Sequence, residues 1–320
     1  MKDDAVAPVV AAMLILAVIV TVFSVWNAVY LPSLKQQSEM MQDDEIEAAF
    51  TTFSADLANA VSLKRDLTFF STLPLGGGGV IFSPTTSSGT LHIQEEPKQM
   101  YTVTITDSAG DHQIAGRLVN FSYSPVNDFW LDQGYSWHYG YVNVTRGDSP
   151  DGADRAALST PLQYATMHDV RNSTTIRAFA KSIITFESRP WYNSSLNCSH
   201  ITVSPVTFHR EPQASYVSSN GIGTLALIAE VNETRYGVTE TTSPDRLAIR
   251  VSRSVPEPFS SGLYEECNES FADLAATYPH NIMHTFTTTA LYNETAIQPV
   301  PGGLPFDVTL HHVTMNVSAR

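Results

Sequence analysis

Residues 5–32 read AVAPVVAAMLILAVIVTVFSVWNAVYLP, a run of 28 with no charged side chain and only Thr21, Ser24 and Asn27 polar in side chain. As a helix rising 1.5 Å per residue it spans roughly 40 Å, more than the bilayer hydrocarbon core of about 30 Å. Nothing else in the 320 residues approaches that length of uninterrupted apolar chain. Such a rod is stable among lipid tails or other apolar rods and not in water, where its whole surface would be hydrated. A cleaved secretory signal has an apolar region of about 7–15 residues ending in small residues. Here the run ends Val29-Tyr30-Leu31-Pro32, which argues for an anchor that stays. Trp26 and Tyr30 stand where an aromatic belt marks the far interface. Pro8 is tolerated near the first turn, whereas Pro32 is predicted to end or kink the helix. Lys2 and Lys35 flank the run and do not set its orientation.

The start of the chain, Met1-Lys2-Asp3-Asp4-Ala5-Val6-Ala7-Pro8-Val9-Val10, leads from a short charged leader straight into this helix. It resembles the N-terminus of archaeal type IV pilin-like proteins. The resemblance covers about 30 residues; Ala7 stands where Ser is usual, and no Lys/Arg-Gly pair precedes the cut. It implies a prepilin-peptidase-like enzyme acting between Asp4 and Ala5, a helix that anchors in the membrane, and self-association with pilin-like subunits through that helix.

Helical periodicity resumes after Pro32. Ile46, Phe50, Phe53, Leu57 and Val61 recur at helical spacing as one apolar stripe, with acidic Asp43, Asp44, Glu45 and Glu47 early and Lys64 and Arg65 late, as the helix dipole favours. Residues 33–65 are therefore predicted to be a helical stalk whose stripe packs on the following domain. The four glycines 76–79 lack the Gly-Lys-Ser/Thr of a phosphate loop and read as a turn into the first strand.

Beyond them, short strand-like segments alternate with Gly, Pro, Asn and Asp. Strands are predicted over residues 101–106, 116–123, 135–144, 176–186, 201–208, 223–231, 246–251, 285–292 and 306–317, and one helix over 260–277 with Leu263, Phe271 and Leu274 on a face. Residues 127–141, NDFWLDQGYSWHYGY, are dense in aromatics that would alternate between core and surface, with a carbohydrate- or peptide-binding face as the functional alternative. This segment and the glycine-rich one resemble stretches of uncharacterised secreted archaeal proteins with pilin-like N-termini. Residues 311–320 are polar, and neither a second span nor a lipid-anchor tail is expected.

Asn-x-Ser/Thr occurs nine times, at Asn120, Asn143, Asn172, Asn193, Asn197, Asn232, Asn268, Asn293 and Asn316. With 14 Asn and 64 Ser plus Thr in the chain, chance gives about three. The excess points to N-glycosylation outside the cell, which would also fix the orientation of the span. Asn and Ser/Thr also gather in turns for local reasons, although several of these sites lie inside strand-like runs. Cys198 and Cys267 are the two cysteines. They would form either one bridge closing a long loop, worth about 4 kcal/mol, or two separate small apolar groups.

A net charge of −14, from 32 acidic and 18 basic residues with no basic cluster, argues against nucleic acid as partner. No nucleophile elbow, His-Glu-x-x-His pair or dinucleotide fingerprint is present. His280 and His284 have metal-like spacing only if helical, and Asp148, Asp151 and Asp154 fit no established calcium loop. Arg146-Gly147-Asp148 as an adhesion tripeptide is most simply coincidence. No catalytic, cofactor or metal site is assigned, and no enzyme activity is expected.

The expected fold is α+β: a long N-terminal helix, half transmembrane and half amphipathic, packed on a β-rich antiparallel domain. The expected divisions are a leader at 1–4, a hydrophobic helix at 5–32, a helical segment at 33–70 and an extracellular domain at 71–320. The expected function is a single-pass archaeal surface protein with pilin-like architecture, or alternatively a receptor or adhesin that does not polymerise and binds carbohydrate or protein.

Overall fold

The computed structural model describes residues 6–77, 79, 86–126, 133–146, 157–158, 174–237 and 243–320. The chain is α+β, as the periodicities require: helices α1 (Val6–Val25) and α2 (Leu31–Leu63) form one rod, and β-sheets follow. Pro32 does not end this rod. It falls in the first turn of α2, directly after a π-helical turn at Trp26–Tyr30, where the Leu31 N–H reaches back five residues to the Trp26 carbonyl. A proline lacks an N–H and crowds the preceding turn, and the widened π turn accommodates it without a break.

On α2 the predicted stripe is the buried face: Ile46, Phe50, Phe53, Leu57 and Val61 are all fully enclosed. The buried face also continues N-terminally through polar residues, Lys35, Glu39 and Gln42, at spacings of four and three. The helix closes at Lys64, in the left-handed conformation (φ 47°), with its N–H on the Ala60 carbonyl.

Three sheets follow. The first runs in the order β1 (Leu67–Pro74), β12 (Ile222–Tyr236), β16 (Asp307–Ala319), β10 (Ser194–Arg210), β9 (Ile184–Trp191). The second runs β11 (Tyr216–Ser219), β2 (Ser88–Glu95), β5 (Val119–Val126), β6 (Gln133–His138), β7 (Tyr141–Arg146), β8 (Ala157–Leu158). The third runs β14 (Ile282–Thr288), β15 (Tyr292–Pro299), β13 (Arg246–Ser252), β3 (Tyr101–Asp107), β4 (Gly110–Gly116). The described pairings are antiparallel apart from β10 with β16, which run parallel from His200↔Asp307 to Arg210↔Val317.

Two short helices pack together, α3 (Thr174–Ser182) and α4 (Phe259–Thr277), the second within a residue of its predicted start. The strand predicted over 176–186 divides instead into α3 and β9. Ile176, Phe179 and Ala180 are buried on one face at helical spacing, and that face outweighs their β propensity. The strand predicted over 135–144 is the hairpin β6–β7, turning at Tyr139 (φ 50°) and Gly140 (φ 88°). A side chain at Gly140 would put a Cβ 2.6 Å from the Phe179 ring, so sterics and the positive φ both require glycine there. The strand predicted over 285–292 likewise straddles the β14–β15 turn.

The core gathers around aromatic rings. Trp137 stacks on Phe121 at 5.2 Å with planes 5° apart, meets Phe179 edge-on at 5.8 Å, and lies 6.4 Å from Phe208. Phe50 and Phe53 of α2 reach the same Phe121 at 5.5 and 5.1 Å. The aromatics of β6 and the turn after it, Tyr135, Trp137 and Tyr139, are therefore packing residues and not a ligand face. Phe129 and Trp130, from the same predicted segment, lie outside the described residues.

Register gives the domain a direction. After Lys64 the chain turns, and β1 returns alongside α2 from Leu67 to Pro74, whose carbonyl accepts from Gln42 Nε2 at 3.3 Å. Pro74 pairs with Ile222, and Leu225 with Ala319, so these residues share the end next to α1. At the opposite end β16 begins beside His200, and β9 and β10 continue past it to a turn between Trp191 and Ser194.

Candidate functional site

Helix α1 is one site by composition and surroundings. None of its best apolar window is buried in the protein, and Met13, Leu14, Val22 and Phe23 are each 60% exposed or more. It is the one described helix long and apolar enough to cross a membrane. Its three polar side chains close on their own backbone: Thr21 Oγ1 donates to the Ala17 carbonyl at 2.7 Å, Ser24 Oγ to Val20 at 2.7 Å, and Asn27 Nδ2 to Phe23 at 3.0 Å. In hydrocarbon every unpaired donor costs several kcal/mol, so this pattern suits a lipid environment. Trp26 and Tyr30 lie 4.3 Å apart at the end of the run. Asp4 and Ala5, the expected processing site, lie outside the described residues.

The sequon asparagines do not share one environment. Asn193, in the β9–β10 turn, and Asn232, on β12, are exposed. Asn120, Asn197, Asn268, Asn293 and Asn316 are half-buried on β5, β10, α4, β15 and β16. Asn143 is buried at 9% exposure, which leaves no room for a glycan on the folded chain. The Oδ1 atoms of Asn120, Asn143, Asn268 and Asn293 are enclosed without a hydrogen-bond partner. Two sequon hydroxyls are also enclosed: Thr295, which hydrogen-bonds His284 at 2.8 Å, and Ser318. Asn172 lies outside the described residues.

Cys198 and Cys267 are both buried free thiols, the second of the two arrangements the sequence left open. Cys198 Sγ lies 3.4 Å from the His200 carbonyl and 3.6 Å from that of Arg189, and burial pushes its pKa up to about 11. Burial pushes the Cys267 thiol higher still. Neither thiol has the lowered pKa that marks a nucleophile.

Lys64 is an enclosed amine whose sequence position at a helix end gave no sign of enclosure. Its Nζ donates to the Ser204 carbonyl at 2.5 Å and the Ile183 carbonyl at 3.4 Å, and burial lowers its pKa to about 7, opposed by the Cys267 thiol. Both carbonyls belong to segments that α2 must meet, so the amine is a tether between helix and sheet. Residues 183 and 204 are far from 64 in sequence, which is why the pairing was not legible there.

His280 lies in the turn after α4 and His284 on β14, so the pair has no common helical face. No cluster of three metal-ligating side chains occurs among the described residues. Asp148, Asp151 and Asp154, with the Gly147-Asp148 of the tripeptide, lie outside them.

At the end far from α1, the β9–β10 turn exposes Trp191 (39%), Tyr192 (102%) and Leu196 (45%) beside Asn193. Comparisons with protein-family models, curated proteins and solved structures give no match.

Proposed function

We propose that this chain is a single-pass surface protein of type IV pilin-like layout, held in the membrane by α1 with its β-rich domain outside the cell. The observation that carries the reading is the bare apolar helix whose hydroxyls and amide are satisfied by its own backbone. Leaving that surface in water would cost on the order of tens of kcal/mol at about 25 cal/mol per Å². The nine sequons, with Asn193 and Asn232 exposed, support the outside placement. The pilin-like leader supports processing between Asp4 and Ala5 and association of α1 with neighbouring pilin-like helices in a filament.

The test is a single preparation: membrane fractions, protease shaving of intact cells, and mass spectrometry of the mature N-terminus. The reading expects membrane recovery, external release of the domain, and a mature chain beginning at Ala5. Recovery as a free cytosolic protein overturns it. A second reading, a receptor or adhesin that does not polymerise, draws on the exposed Trp191, Tyr192 and Leu196 at the far end. An intact Met1–Asp4 leader on the membrane-bound protein, with none of the protein in purified surface filaments, would decide for it.

A further inference from the structure

The two faces of the third sheet meet different surroundings. In antiparallel strands directly paired residues share a face, and successive residues of one strand alternate between faces. Val103, Ile249 and Val251 are buried in the core, so Thr102, Arg250 and Ser252 lie on the other face. Register adds Glu294, opposite Arg250, and Tyr292, opposite Ser252, to that same face. Where β3 and β15 begin and β13 ends, Thr102, Arg250, Ser252 and Tyr292 line a groove together with Arg117 and Gln99. Its volume of about 420 Å³ falls within the range of small-molecule sites, about 300–1,000 Å³. No acidic residue lines it, although the chain as a whole carries net charge −14.

Arg250 is held there in a fixed attitude. Its Nε donates to Glu294 Oε2, and its guanidinium carbon lies 5.1 Å from the centre of the Tyr292 ring. Neither of its Nη atoms has a hydrogen-bond partner among the described residues. Arg246 Nη2 donates to the other oxygen of the same carboxylate. One carboxylate thus answers two guanidinium groups, and one positive charge is left over. Arg117 is tied more loosely, its Nη1 being 3.9 Å from Glu95, too long for a hydrogen bond. The groove therefore presents a guanidinium braced at one edge and over one ring, with its outer nitrogens unused.

We infer that this groove binds an acidic sugar, a uronic acid unit whose carboxylate sits on the Nη atoms of Arg250 with Arg117 as the second cation. A carboxylate is a planar single charge, which matches a guanidinium fork and the one charge left over. A phosphate dianion would bring a second negative charge close to Glu294. The hydroxyls of Thr102 and Ser252 and the amide of Gln99 can donate to and accept from ring hydroxyls, beside the aromatic surface of Tyr292. The acidic surface elsewhere does not forbid an anion, since exposed charges beyond about 8 Å are largely screened at physiological ionic strength. The site is independent of how α1 is used, and serves a filament subunit or a receptor equally.

Titration calorimetry of the full-length chain in detergent tests this, with digalacturonate as the probe and its methyl ester as the uncharged control. The acid should bind at least about tenfold more tightly than the ester, and raised salt should weaken the acid alone. Arg250→Lys keeps the charge but loses the fork, and should weaken the acid at least about tenfold. Arg117→Gln, which leaves Glu294 and its two partners untouched, should weaken it severalfold. Melting temperatures report whether each variant is folded; if Arg250→Lys is not, Arg117→Gln decides. No binding of the acid, equal binding of acid and ester, or undiminished binding by a folded variant overturns the inference. Inorganic phosphate binding more tightly than the acid overturns it too, by making the groove a phosphate site.

Discussion

Trp137 Nε1 donates to Ser54 Oγ at 3.1 Å, which satisfies the polar atom of a fully buried indole from the helix that crosses it. The bond joins β6 to α2 at the centre of the aromatic core, where Phe121 and Phe179 close the remaining faces of the ring. Ser54→Ala removes the acceptor and leaves the indole N–H enclosed and unpaired, at a cost of about 1–3 kcal/mol. Thermal unfolding of the detergent-solubilised chain should show the loss, and Ser54→Thr, which keeps a hydroxyl, should recover part of it. An unchanged melting temperature in the alanine variant would show that the bond adds nothing.

Lys64 should give the fold a pH dependence of its own. Burial holds its folded pKa near 7, whereas the unfolded chain keeps the proton to about 10.4. Between those values the unfolded state binds more protons, so stability rises with pH. The contribution is complete above the unfolded value and is lost as pH falls through about 7. Relative to Lys64→Met, the wild type should gain on the order of a few kcal/mol in unfolding free energy between pH 7 and 10. A flat difference across that range would mean that the amine stays charged in the folded protein.

Glu294 should act in acid. Burial works to raise its pKa, but hydrogen bonds from Arg250 and Arg246 outweigh burial and hold the carboxylate below the ordinary glutamate value. Its contribution is present above about 4.5, the unfolded value, and is lost as pH falls through the lower folded value. Glu294→Gln should cost about 1–3 kcal/mol at pH 7, since it leaves two half-exposed guanidinium groups facing each other, and should cost much less at pH 3. Denaturant titrations at the two values check this.

Glycopeptide mapping should separate the nine sequons by environment. Asn193 and Asn232, exposed in a turn and on β12, should be occupied. Asn143, buried on β7, should be bare, as should Asn293 and Asn316, whose sequon hydroxyls at Thr295 and Ser318 are enclosed. Uniform occupancy at all of them would show that sugar transfer and folding are not in conflict at these positions.

Long single-face patterns were legible in the sequence: the apolar run, the Ile46–Val61 stripe, α4, and β13 with its strict alternation. Each is local; the stripe, α4 and β13 each bury a face, whereas the apolar run buries none. Failures arose where two kinds of order compete over a few residues. Ile176, Phe179 and Ala180 satisfy a helix as well as a strand, and Tyr139 and Gly140 carry a turn inside an aromatic run that reads as continuous. The structure also encloses Lys35, Glu39, Gln42 and Lys64, for which the sequence pattern gave no burial signal. Gln42 is held by Pro74 and Ser87 and Lys64 by Ser204, and pairings at that separation leave no periodic trace. The sequons were visible as a count, but their accessibility depends on strand register that spacing does not encode.

The first sheet has a temporal consequence. Its middle strand, β16, comes from residues 307–319, with β12 on one side and β10 on the other. A ribosome that has made β1, β9, β10 and β12 has made strands with a gap between them, and β12 and β10 meet no common neighbour until more than 80 further residues follow Arg210. Closure of the first sheet therefore waits for the last strand to be made, although every strand of the second sheet is already present by Ser219.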